Sequence, residues 1–119
     1  MINLQTTNLL KMPTEEAVDI LVKYIQEKPE GFFLHTLEPT LGINSANRLT
    51  EWLKRKPSHL YHYKTVVCDD GSQLYQVSYI TLLLLLERNS RQYLRYSAFM
   101  TILVTALNRV PVAPVNLPR

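Results

Sequence analysis

The chain has 119 residues, 46% of them hydrophobic and 19% charged, with a formal net charge of +3. That balance excludes a disordered chain and fits one domain with a single core, too short for two. The distribution of charge says more than its total. Residues 11–30 hold three Lys against five acids, residues 44–64 hold five Lys or Arg against Glu51 alone, and residues 88–109 hold four Arg and no acid. Cations gathered on two segments point to an anionic partner, weighed against a plain solvated face.

Cys68 is the only cysteine, so no disulfide can form within the chain, and a reducing, cytoplasmic setting is expected. Residues 1–7 lack the basic and apolar regions of a secretory signal. The apolar runs at 77–86 and 96–107 both fall short of the roughly 20 residues that span a bilayer. They read as buried helix.

In chain order, residues 1–12 show no period and read as an extended arm. Pro13-Thr14-Glu15-Glu16 opens a helix, with Thr14 as cap and acids in the first turn. Ala17, Ile20, Leu21, Tyr24 and Ile25 share one of its faces, and Pro29 and Gly31 end it. Phe32-Phe33-Leu34 reads as a short strand. Thr36 is placed to cap a second, short helix, with Pro39 in its first turn and Gly42 at a tight exit. Asn44 or Ser45 then caps a third helix over 46–56. Ile43, Ala46, Leu49, Trp52 and Leu53 form its apolar stripe.

Beyond Pro57, residues 61–68 and 73–77 flank an Asp69-Asp70-Gly71-Ser72 turn. With Asp70-Gly71 as a two-residue loop, Val67 should face Leu74 and Val66 should face Tyr75. Both hairpin faces carry apolar side chains, which predicts packing on both sides or an edge in an interface. From Ser78 to about Asn108 the pattern is helical, with a break at Asn89-Ser90 where Ser90 caps a new helix. Residues 109–119, rich in proline, form an extended tail.

Short helix, glycine turn, basic helix and hairpin, in that order, resemble the winged helix-turn-helix family over residues 14–77. The expected fold is mainly α with a small β-hairpin: one domain over 1–119, a winged-helix core at 14–77 and a long C-terminal helical extension at 78–108. The resemblance implies sequence-specific binding of double-stranded DNA by a small transcriptional or replicon regulator, acting as a homodimer and not as an enzyme. Asn44, Ser45, Asn47, Arg48 and Glu51 then face the bases, since Arg reads guanine and Asn reads adenine bidentately. Lys54, Arg55, Lys56 and His59 lie near phosphates. Asp69 and Asp70 depart from the family, because DNA-binding wings usually carry Arg or Lys at the tip. They favour the alternative of a protein-interaction or inhibitor module of the same fold.

Arg88, Arg91 and Arg95 are spaced to share a helix face, open to DNA backbone, an acidic partner or water. Residues 82–86 are five consecutive leucines, and residues 99–107 extend that apolar surface. Leu83, Leu86, Phe99 and Leu103 are accordingly expected at a dimer interface. His59, His62 and Cys68 lack paired ligand spacing, so no metal and no cofactor is expected. No phosphate loop, zinc-protease motif or nucleophile elbow is present in the sequence. Six tyrosines fall between Tyr61 and Tyr96 and are read as packing groups rather than base-stacking platforms.

Overall fold

The computed structural model describes residues 7–55 and 59–110. Within them α1 (Thr14–Glu27), β1 (Phe32–Phe33), α2 (Glu38–Leu41), α3 (Ile43–Arg55), β2 (Tyr63–Val67), β3 (Gln73–Val77), α4 (Tyr79–Asn89) and α5 (Leu94–Arg109) follow in that order. The protein is mainly helical with one small antiparallel sheet, its strands ordered β1-β3-β2. Residues 1–6 of the expected arm, residues 56–58, and residues 111–119 of the expected tail lie outside the described residues. Among those described, no helix is long and apolar enough to cross a membrane.

The end of the arm is not extended. Leu9–Lys11 forms a 3-10 turn, Leu9 is buried, and its N–H donates to Thr40 Oγ1 at 3.0 Å. In α1 the cap position is Pro13 and Thr14 is already helical, so the helix starts one residue before a Thr cap would allow. Val18, rather than Ile20, joins Ala17, Leu21, Tyr24 and Ile25 in its buried face.

Gly31 lets β1 lie tightly against β3. Its φ is +135°, and a Cβ there would sit 2.1 Å from the Val77 carbonyl oxygen. Thr36 caps nothing: it lies in a 3-10 turn at Leu34–Leu37 and donates Oγ1–H to Phe33 O at 2.6 Å. Gly42, at φ +94°, makes the corner. Its N–H reaches Glu38 O at 2.8 Å, and its carbonyl accepts from Ala46 N–H at 3.1 Å. One glycine thus finishes α2 and starts α3, because only glycine takes that φ without strain. Asn44 and Ser45 therefore sit inside the first turn of α3 instead of capping it.

The hairpin register differs from expectation by one residue. Gly71 N–H closes a turn on Cys68 O at 2.9 Å, and Cys68 N–H reaches Ser72 O at 2.8 Å. Gly71 has φ +87°. This is a three-residue loop with glycine in the left-handed region. Val66 pairs with Leu74 and Val67 with Gln73. Because side chains alternate with period two, the single step puts Thr65 opposite Tyr75 and exchanges the faces of the strand. Nor is the hairpin packed on both sides: β2 is an edge strand, and all five of its residues are exposed.

Ser78 caps α4 by accepting from Thr81 N–H at 3.1 Å. At the break Ser90 is not a cap for α5; that position is held by Tyr93. The core gathers around Phe32, which stacks on Tyr24 at 4.7 Å and meets Tyr79 and Phe99 edge-on at 5.9 and 6.2 Å. Leu82, Leu85, Leu86, Tyr96, Phe99 and Leu103 are fully covered around it. This corrects the expected dimer surface. Leu86, Phe99 and Leu103 are spent inside their own chain and offer no area to a second copy; Leu83 is half-buried. The C-terminal helices look too apolar for one chain only until α1 is seen to cover α5 and α3 to pack on α4.

Candidate functional site

α3 turns Ala46, Leu49 and Leu53 into the core. The opposite face exposes Asn44, Asn47, Arg48, Glu51, Lys54 and Arg55, as helical spacing requires of an amphipathic helix. Of the expected site residues on α3, Ser45 alone is not on this face. It is 2% exposed, its backbone oxygen accepts from Tyr96 OH at 3.4 Å, and it faces α5. Ser45 is corrected from a DNA contact to a packing residue. His59 is exposed, and Lys56 lies outside the described residues.

Glu51 is the single acid on that face, and Arg55 Nε sits 3.2 Å from it. Both are exposed, and such pairs one helical turn apart contribute only tenths of a kcal/mol. Arg48 reaches out of α3 to the turn before α5. Its guanidinium donates to Tyr93 OH and lies over the Tyr93 ring at 5.2 Å.

Two arginines from the C-terminal segment arrive at the same flank. Arg88 donates to Tyr61 OH at 2.7 Å and covers the Trp52 ring at 5.4 Å. Arg95 donates to Ser45 Oγ at 3.4 Å. The expected single-helix stripe of Arg88, Arg91 and Arg95 does not exist, because α4 ends at Asn89 and α5 begins at Leu94. The break redirects Arg88 and Arg95 toward α3, while Arg91 stays exposed in the turn between helices. The sequence reading named both basic segments and the aromatics among them. It could not foresee their meeting, since the contacts join residues up to 50 apart.

The acids are placed elsewhere. Glu15 pairs with Arg109 at 3.1 Å and Glu30 with Lys64 at 2.8 Å. Each partner's hydrogen bond and charge hold the carboxyl below its ordinary pKa. At the hairpin tip Asp70 accepts from Ser72 Oγ at 2.6 Å and from Ser72 N–H at 2.9 Å. Those bonds lower the Asp70 pKa and make it a turn-forming residue. Asp69 is exposed. Among the described residues, no three His, Cys, Asp or Glu side chains gather as metal ligands.

A shallow, open concavity on the outer side of α5 is lined by Ser90, Ser97, Met100, Thr101, Val104 and Thr105. It holds no ionisable group. Compared with known proteins, the chain matches no family model, no curated protein and no solved structure.

Proposed function

We propose that this protein is a winged helix-turn-helix module that binds double-stranded DNA, with α3 in the major groove, as a small transcriptional or replicon regulator. The observation that carries the reading is the outer face of α3. Gly42 sets α3 at a corner after α2, the hairpin β2–β3 follows it, and its outer face holds Asn44, Asn47, Arg48, Lys54 and Arg55 against Glu51 alone. A major groove about 12 Å wide admits such a helix, and Arg and Asn side chains read guanine and adenine there. Lys54 and Arg55 lie in the last turn, where phosphates flank a groove-seated helix. A two-fold dimer belongs to the proposal. Ile80, 47% exposed, and Leu83 lie one helical turn apart on α4 and offer the second copy its surface.

A second reading, a protein-interaction module without DNA, draws on the hairpin. Asp69 and Asp70 put acid at its tip, and the β2 edge is exposed along its whole length. Such an edge can accept a partner strand. Fluorescence anisotropy with labelled genomic duplex fragments at two salt concentrations separates the readings. Binding that weakens steeply with salt and prefers some fragments supports the DNA reading. A chain that binds no duplex at low salt removes it.

A further inference from the structure

We infer that the duplex contact extends beyond α3 to Arg88 and Arg95, which bind phosphate on either side of the base-reading Arg48, in a line along the seam between α3 and the α4–α5 turn. The inference rests on the DNA reading above and adds a second set of contacts to it.

The three guanidiniums meet α3 at successive points on one flank. Arg95 is tied to Ser45, Arg48 projects from α3 itself, and Arg88 lies on Trp52. Steps of three and four residues keep these points on one side of a helix, spread over about 10 Å at roughly 1.5 Å rise per residue. Arg48 is also part of the exposed face, so the line borders that face directly.

Each guanidinium is held by neutral groups: Tyr93, Tyr61 with Trp52, and Ser45. One hydrogen bond apiece leaves most of the five N–H donors of each Arg unspent. Among the described residues the ion pairs are Arg55–Glu51, Lys64–Glu30 and Arg109–Glu15, and none of them neutralises this line. Three fixed like charges along one seam repel one another, and a counter-charge from outside the chain offsets that repulsion. Planar guanidiniums suit bidentate phosphate contact, and those of Arg48 and Arg88 are pinned against the Tyr93 and Trp52 rings. An acidic protein would meet the same charges. Duplex DNA is favoured because the strand backbone runs along the rim of whichever groove α3 occupies, and residues on the flank of a groove-seated helix are the ones that reach it.

The test is a salt series of anisotropy titrations with a labelled random-sequence duplex. It compares wild type with Arg88→Gln/Arg95→Gln and Arg88→Lys/Arg95→Lys, with folding of each checked by thermal melting. Two lost phosphate contacts should reduce the log–log salt slope by about 1.8. The Lys variant should keep the wild-type slope, because the slope counts charges. Arg95→Gln alone, whose tie to the fold is the longest, should reduce the slope by about 0.9 and serves if the double Gln variant does not fold. Gln variants that bind with the wild-type slope overturn this inference and leave α3 as the sole contact. A wild type that binds no duplex overturns the DNA reading and the inference together. Tight binding of polyglutamate with none to duplex assigns the line to an acidic protein and has the same effect.

Discussion

α3 and α5 are built alike and end differently. Each turns a seam into the same core, Leu49 and Leu53 from α3, Phe99 and Leu103 from α5. The outer face of α5 is small and uncharged along Ser97, Thr101, Val104 and Thr105, and the Arg in its last turn is paired with Glu15. Apart from Ile43 in its first turn, the outer face of α3 is polar, and two further arginines are brought to its flank without an ion-pair partner among the described residues. Amphipathicity explains the inner faces of both helices. It does not explain why one outer face is neutralised and the other is left cationic. Where the acids sit makes that difference, and on the proposed reading the cationic face is the one that meets phosphate.

The comparison is broken most severely from the inside, where the two helices should behave the same. Phe99→Ala and Leu53→Ala both open a cavity in one shared core, at a cost of about 3–5 and 2–5 kcal/mol respectively. Urea denaturation measures both. A loss below about 1 kcal/mol at either position would mean that its seam is not close-packed.

On the outer faces the helices should part company. Arg48→Ala is expected to cost roughly 1–3 kcal/mol of duplex affinity, concentrated at one base position. Lys54→Ala should weaken all sequences alike and lower the salt slope by about one. Stability should stay within about 0.5 kcal/mol for Lys54→Ala. Thr101→Ala on α5 should alter neither slope nor affinity. Equal effects from α3 and α5 would erase the distinction between them.

Asp69→Asn sharpens the comparison at the hairpin tip and leaves the Asp70–Ser72 turn intact. Removing one carboxylate near a duplex should leave binding unchanged or tighten it slightly, with the gain fading as salt rises. Weaker duplex binding would show that Asp69 touches the ligand and that the tip is part of the contact.

The smallest effect concerns pH. Burial holds the His35 imidazole below its ordinary pKa, with Glu38 opposing more weakly. The folded chain therefore prefers neutral His35, while the unfolded chain takes up a proton first. This group leaves stability undiminished above about pH 6.5 and subtracts from it as pH falls toward the lower folded value. His35→Gln should flatten that part of the profile of urea midpoint against pH. Parallel profiles for variant and wild type would exclude His35 as the titrating group.

The sequence by itself determined the order of the elements, the two faces of α3 except at Ser45, which is buried, and Ile43, which is exposed, the corner at Gly42 and the acidic hairpin tip. These are legible because each depends on residues within a few positions of one another: apolar spacing at the helical period, a glycine where φ is positive, acids beside a Gly turn. Tertiary structure alone decided the rest. Two nearby glycine-turn geometries compete at Gly71, and the three-residue loop shifts Val66 from Tyr75 to Leu74. Ser45 has the composition of a surface residue and is buried because α5 docks on it. Leu86, Phe99 and Leu103 look like surplus until α3 packs on α4 and α1 closes over α5. Arg88 and Arg95 reach α3 only because the chain breaks between α4 and α5 and the core holds those helices against it. Such contacts join residues tens of positions apart, and they are set by which surfaces can be buried together, a property of the whole chain that no local pattern records.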